Sequence, residues 1–189
     1  MKKTLLNLFL STSLLLGVQL LEAQEKTIDT AQSSIHWVGK KVTGQHEGNI
    51  QLKSGSLLMD QNQVAGGRFS VDMTTISCTD LQGKSANNLV GHLKSDDFFS
   101  VATYPLATLT FTQVKQKAKG VYAVTGDFTI KGITHPASFE LQLNNDTATA
   151  KVVIDRSKYN VRYGSNSFFD NLGNKAIYDN FELDVTLKM

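Results

Sequence analysis

The chain of 189 residues has a single cysteine, Cys78, so no intramolecular disulfide can hold it together. A domain of this size can rely on its own core, and Cys78 reads as an ordinary small residue. Charge of one sign is not in excess either: 19 Lys and Arg stand against 17 Asp and Glu, a formal net charge of +2. That balance predicts neither nucleic-acid binding nor capture by acidic surfaces. Almost no segment carries a convincing helical period. The usual signatures of catalysis are also missing, with no HExxH, no GxSxG elbow and no glycine-rich phosphate cradle ahead of a helix. His36, His46, His92 and His135 have no partners at metal-ligand spacing.

What is present begins with a leader. Lys2 and Lys3 precede an apolar run from Leu5 to Leu21, and LEA is followed by the polar QEKTIDT. This pattern predicts a cleaved signal peptide over residues 1–23 rather than a membrane span, because the apolar core is short and no basic stop-transfer flank follows. Export follows from it. Residues 24–189 suffice for one domain with a substantial core, and losing Lys2, Lys3 and Glu22 lowers the formal charge to +1.

The rest is dominated by alternation. Phe139, Leu141 and Leu143 share one parity, as do Phe181, Leu183, Val185, Leu187 and Met189. Ala148, Ala150, Val152 and Ile154 form another set, joined by Phe69, Val71 and Met73 and by Ile50 and Leu52. Such strands have one wet and one apolar face, and they must bury the apolar faces in a two-sheet sandwich or a closed barrel. Strands are expected over Ser33 to Val42 and Glu47 to Met59, with Gly48 and Gly55 at bends, and over RFSVDMTTI after Gly66-Gly67. Turns near Lys117 to Gly120, at Lys131-Gly132 and at Asn144 to Asp146 give three consecutive hairpins.

Two stretches break the rhythm. Ser77 to Tyr104 reads as a long connection over one end of the sheet, with short helical turns within Asn88 to Phe99 and Ser95 capping DDFF. Asp96 and Asp97 fit capping and solvation better than paired acid–base work. Asp155 to Tyr178 carries Tyr159, Tyr163, Phe168, Phe169 and Tyr178, too many aromatics for a free linker. It is expected to be ordered, as packing beneath the barrel, a cavity wall or a self-association surface. Asp155, Arg156, Lys158, Arg162 and Asp170 are expected to pin it by ion pairs, and the Asn145-Asp146-Thr147 sequon is assigned to a turn.

Three blocks sharpen this reading. LVGHLKSDDFFSVATYP (89–105), GDFTIKGITHPASF (126–139) and IHWVGKKVTGQHEG resemble the signature segments of the YceI-like family of exported bacterial proteins, and the tail resembles its Bacteroidetes-type branch. His36 and Gly39 to Gly48 fall on the family's first-hairpin motif. His92, Leu93, Asp96, Phe98 and Phe99, then Tyr104-Pro105, then Gly132, Thr134 and Pro136 match the others. The reading GKKVTG departs from the family's KHxG in the first hairpin. The resemblance implies an all-β, antiparallel, lipocalin-like barrel of about eight strands, a short helical segment in a long connection, and an elongated tunnel. It also implies a long-chain polyisoprenoid or isoprenoid quinone-like lipid as ligand, a periplasmic location, no cofactor or metal, and homodimers in some members.

By size and parity the expected tunnel lining is Trp37, Phe69, Phe111, Phe128, Phe139, Leu141, Val152 and Phe181, with His36 and His92 as polar contacts near a mouth. Two other readings compete with lipid carriage: an envelope stress or interaction module, and a small-substrate hydrolase or isomerase using His92 or His135.

Overall fold

The computed structural model describes residues 23–189, so the expected leader lies outside the described residues except for Ala23. In chain order the elements are β1 (Gln24–Thr27), β2 (Asp29–Lys41), β3 (Gly44–Asp60), β4 (Gln63–Asp72), α1 (Gly83–Lys94), β5 (Leu106–Ala118), β6 (Val121–Ile130), β7 (Ile133–Asn144), β8 (Thr147–Asp155) and β9 (Ile177–Lys188). All pairings are antiparallel in the order β1-β3-β2-β9-β8-β7-β6-β5-β4, and a further β3–β4 pairing closes the ring. Strands β2 to β9 therefore form a closed eight-stranded barrel. Closure leaves no separate second sheet, so the sandwich alternative is excluded. The short β1 pairs with the far half of β3, Thr27 opposite Ser56, while β2 takes the near half from Ile35 opposite Ile50.

Alternation sets the inner face of each strand. Tyr122, Val124, Gly126, Phe128 and Ile130 of β6 are buried, as are Val152 and Ile154 of β8, and the residues alternating with them are more exposed. Register shifts between Leu52 and Ser54 in β3, and between Phe111 and Gln113 in β5, mark bulges that bend the wall so that it can close. Two expectations are corrected here. Strand β4 runs from Gln63 to Asp72, ahead of the expected RFSVDMTTI, because Asp72 accepts from Thr74 N–H and starts a 3-10 turn over Met73–Thr75. The helix is α1, earlier than Asn88 to Phe99, and Ser95 ends it: its N–H and Oγ both donate to the His92 carbonyl.

In an up-and-down barrel alternate connections share an end. The β2–β3, β4–β5, β6–β7 and β8–β9 connections therefore lie together, and the two long ones cap that end. The β6–β7 turn needs left-handed backbone at Lys131 (φ 51°) and Gly132 (φ 74°). A Cβ on Gly132 would also stand 2.7 Å from Tyr104 Cε1, which packs the turn against the first long connection.

Candidate functional site: an apolar tunnel with a tied cap

Inside the barrel lies a cavity of ≈ 190 Å³. Along β8 its wall runs from Ala148 to Ile154, a span of about 20 Å at strand rise, and continues to Arg156 and Tyr178 at the capped end. One side is a ladder of phenylalanines on neighbouring strands: Phe69 and Phe111 have ring centres 5.4 Å apart, Phe111 and Phe139 5.8 Å, and Phe128 and Phe139 6.1 Å. Strand β8, opposite β4 in the ring order, presents Ala148 and Ala150 instead. Large rings facing methyl groups leave the axis unfilled.

The structure places Trp37, Phe69, Phe111, Phe128, Phe139, Leu141, Val152 and Phe181 on this wall. It does not place His36 or His92 there. His36 has the opposite parity to Ile35 and Trp37, both on the wall, and faces outward opposite Asn49 and Asp184. His92 sits on α1 with its ring 4.3 Å from that of Tyr163 and 5.7 Å from that of Phe98, and its Nε2 is buried without a hydrogen bond.

Sequence reasoning missed Arg156 as a structural centre. Its side chain is 2 % exposed. Its Nε donates to Tyr178 O, Nη1 to Val161 O and Tyr163 O, and Nη2 to Ile177 O at 3.0 Å. Asp179 Oδ1 lies 3.4 Å from Nη2, so the ion pair is with Asp179 rather than with Asp155 or Asp170. Burial pulls the guanidinium's pKa down, and Asp179 and then Asp155 oppose it. Lys131 plays a parallel part: Nζ donates to Asp96 O, Phe98 O and Asn160 O, tying the β6–β7 turn to both long connections. No spacing pattern announces either role, since the partners are distant main-chain carbonyls. Asp96 and Asp97 are exposed beyond the end of α1 and cap nothing. The second long connection is ordered, with Tyr159, Val161 and Ser165 almost fully buried.

At the rim, a strap after β4 runs beside β3. Ser77 N–H donates to Asn49 O, Thr79 N–H to Glu47 O, and Trp37 Nε1 donates to Ser77 O at 3.1 Å. Gly48 permits this approach, because a Cβ there would lie 1.9 Å from Ser77 O. Asp80 finishes the strap, accepting from Glu47 N–H and lying 2.8 Å from His46 Nδ1. Burial works against the Asp80 carboxylate but is outweighed by the hydrogen bonds from His46, Glu47 and Cys78, which hold its pKa at about 2. Burial, followed by the bond to Asp80, pushes the Cys78 thiol up, away from the thiolate a nucleophile needs. Among the described residues, neither His92 nor His135 hydrogen-bonds a carboxylate, and no group of three or more His, Cys, Asp or Glu could hold a metal ion.

Among the residues on the wall Arg156 alone is charged, and its donors are directed at main-chain carbonyls and Asp179. The wall therefore offers a ligand chiefly apolar contact. Tyr178, 51 % exposed, is among the lining residues at the capped end, beside the start of β9. There the β2–β9 register shifts between Gly39 and Lys41.

The profile of the YceI-like domain matches residues 27–189. The chain belongs to the YceI-like family. A UPF0312 protein of Shewanella denitrificans is 30% identical over 146 residues, covering 74% of this chain and 72% of that one. Another, of Vibrio parahaemolyticus, is 31% identical over 147 residues, with 75% and 74% covered. Among solved structures, Burkholderia cenocepacia BcnA superposes with a TM-score of 0.63 at 23% identity, over 85% of this chain and 98% of BcnA. A polyisoprenoid binding domain from Saccharophagus degradans gives 0.59 at 15% identity, over 88% and 97%. The fold is thus the lipocalin-like barrel of this family.

Proposed function

We propose that the protein holds a long-chain isoprenoid-type lipid, a polyisoprenoid or an isoprenoid quinone-like molecule, in the barrel tunnel after export to the bacterial periplasm, sequestering or carrying it without chemical change. The observation that carries this reading is a barrel-length cavity whose wall is apolar and whose one charged group is already engaged. Each buried methylene-sized group adds roughly 0.8 kcal/mol, so a few isoprene units are enough for firm retention within the ceiling on real affinities. The binding character of the family and the polyisoprenoid-binding neighbour support it. Against hydrolysis or isomerisation stand His92 and His135, neither of which has a carboxylate partner among the described residues, and the raised thiol of Cys78.

Native mass spectrometry and solvent extraction of protein purified from its own host test the proposal. An apolar lipid of defined mass, released on unfolding, is expected; repeated preparations without one would sink it.

A further inference from the structure

The near-neutral net charge conceals an asymmetry. Leaving aside the buried Arg156 and its partner Asp179, the four segments at the capped end, residues 41–44, 73–105, 131–132 and 156–176, hold seven Lys and Arg against four Asp and Glu, whereas the rest of residues 23–189 holds nine against eleven. One end is therefore positive and the body negative. Exposed large apolar side chains are divided in the same way. Val42, Tyr104, Tyr163 and Phe169 lie in these segments, and Leu106 and Tyr178 directly adjoin them; only Leu58 and Val153 lie elsewhere among the described residues.

The second long connection and its flank concentrate both features. Tyr163, Phe169 and Tyr178 are each about half exposed, and Lys158, Arg162 and Lys175 are exposed with no carboxylate partner among the described residues. Val42 joins them, since its N–H donates to Ala176 O. Arg162, Tyr163, Phe169 and Lys175, together with Asp96, Asp97 and Lys131, line an open depression of ≈ 540 Å³. Half-exposed aromatic rings interleaved with basic side chains are the composition that settles at a bilayer interface and is drawn to anionic head groups. The patch also adjoins the tunnel wall, because Tyr178 belongs to both.

We propose that the capped end docks on an anionic phospholipid surface, with Tyr163, Phe169 and Tyr178 entering the head-group layer and Lys158, Arg162 and Lys175 meeting the phosphates. This rests on the tunnel reading for its purpose: a ligand with negligible water solubility then passes between bilayer and barrel beside Tyr178 without crossing bulk water. The depression gives one head group a seat, its phosphate against Arg162 and Lys175 and its hydroxyls against Asp96 and Asp97.

Co-sedimentation of the mature protein with phosphatidylcholine–phosphatidylglycerol vesicles, against pure phosphatidylcholine, tests docking without reference to tunnel occupancy. Wild type should bind the anionic vesicles and lose them at raised salt. The combined change Lys158→Gln, Arg162→Gln and Lys175→Gln should weaken binding by about 100-fold, at roughly a fivefold loss per basic residue. Equal charge removal at the other end, Lys26→Gln, Lys115→Gln and Lys119→Gln, should leave it near wild type, and circular dichroism checks that all variants fold. Tyr163→Ser with Phe169→Ser should weaken binding with the charges intact. No sedimentation of wild type, equal loss from both triple variants, or a stable dimer by light scattering that binds no vesicles would overturn the proposal. A protein that carries lipid by native mass spectrometry yet ignores vesicles would overturn docking alone, and one that binds vesicles but is always empty would overturn the tunnel reading alone.

Discussion

The Arg156 guanidinium lies over the ring of Phe98, 5.5 Å from its centre, and so joins the two long connections that cap the barrel. The same group binds four carbonyls of its own connection and of the start of β9. Replacement by Met would leave those acceptors unsatisfied in a dry place, at about 1–3 kcal/mol for each one that water cannot reach. Arg156→Met should therefore lower the unfolding free energy in urea by several kcal/mol. Arg156→Lys should recover only a minor part, because a single ammonium cannot span the fork of carbonyls. A lysine variant as stable as wild type would show that charge, and not the planar fork, is what matters here.

Trp37 is the only tryptophan of the chain, so its fluorescence reports the rim directly. A Cβ at position 48 would lie 1.9 Å from Ser77 O and 2.9 Å from Trp37 Cζ2. Contacts that short force the strap away from β3, break the Trp37–Ser77 hydrogen bond and admit water to the indole. Gly48→Ala should shift the emission to the red and cost stability of about 2 kcal/mol, in the range of overpacked cores. Unchanged emission would mean that the strap tolerates displacement without disturbing the tunnel wall.

The strap also carries a pH dependence. The folded pKa of Asp80 is about 2 against an ordinary 3.8, so the unfolded chain binds the proton more readily than the folded one. Its contribution, at most about 2 kcal/mol by linkage and reduced by solvent screening of this exposed residue, is present above the ordinary carboxylate pKa and is lost as pH falls from about 4 to about 2. Urea unfolding across that interval should steepen accordingly. Asp80→Asn should flatten this component and lower stability at pH 7; an unaltered acid profile would assign the loss to other carboxylates.

The barrel was legible in the sequence because its rule is local. Parity at Phe139, Leu141 and Leu143, or at Phe181, Leu183 and Val185, follows from the strand period and selects the inward face with no knowledge of partners. A short helix in the first long connection was legible, but only the part of α1 from Asn88 onward, because GKSANNLVGHLK buries only Leu93 fully and its first turns have scarcely any apolar stripe to detect. Arg156 and Lys131 escaped because their partners are carbonyls fixed by the path of distant loops. Residue type alone suggested ion pairs within the connection, whereas burial made Arg156 a hub for main-chain oxygens as well as the partner of Asp179. His36 and His92 were drawn to the mouth by motif resemblance, yet strand parity turns the first outward and α1 holds the second against Tyr163 and Phe98.

Filling the axis should separate folding from lipid retention. Ala150 of β8 faces the cavity, paired with Leu141 on one side and Val185 on the other. Its methyl group is part of what leaves room opposite the phenylalanine ladder, and the site asks for no hydrogen bond. A larger apolar side chain there occupies space that is otherwise the ligand's. Ala150→Phe should leave the lipid-free protein at least as stable to urea as wild type, since it adds burial where packing is open. The same change should sharply lower the fraction of protein carrying lipid by native mass spectrometry. An outward substitution on the same strand, Val153→Phe, should alter neither, because Val153 is 52 % exposed. Undiminished lipid in Ala150→Phe would place the bound chain elsewhere in the barrel, whereas a loss of stability without loss of lipid would mean that the interior near β8 is already filled by protein.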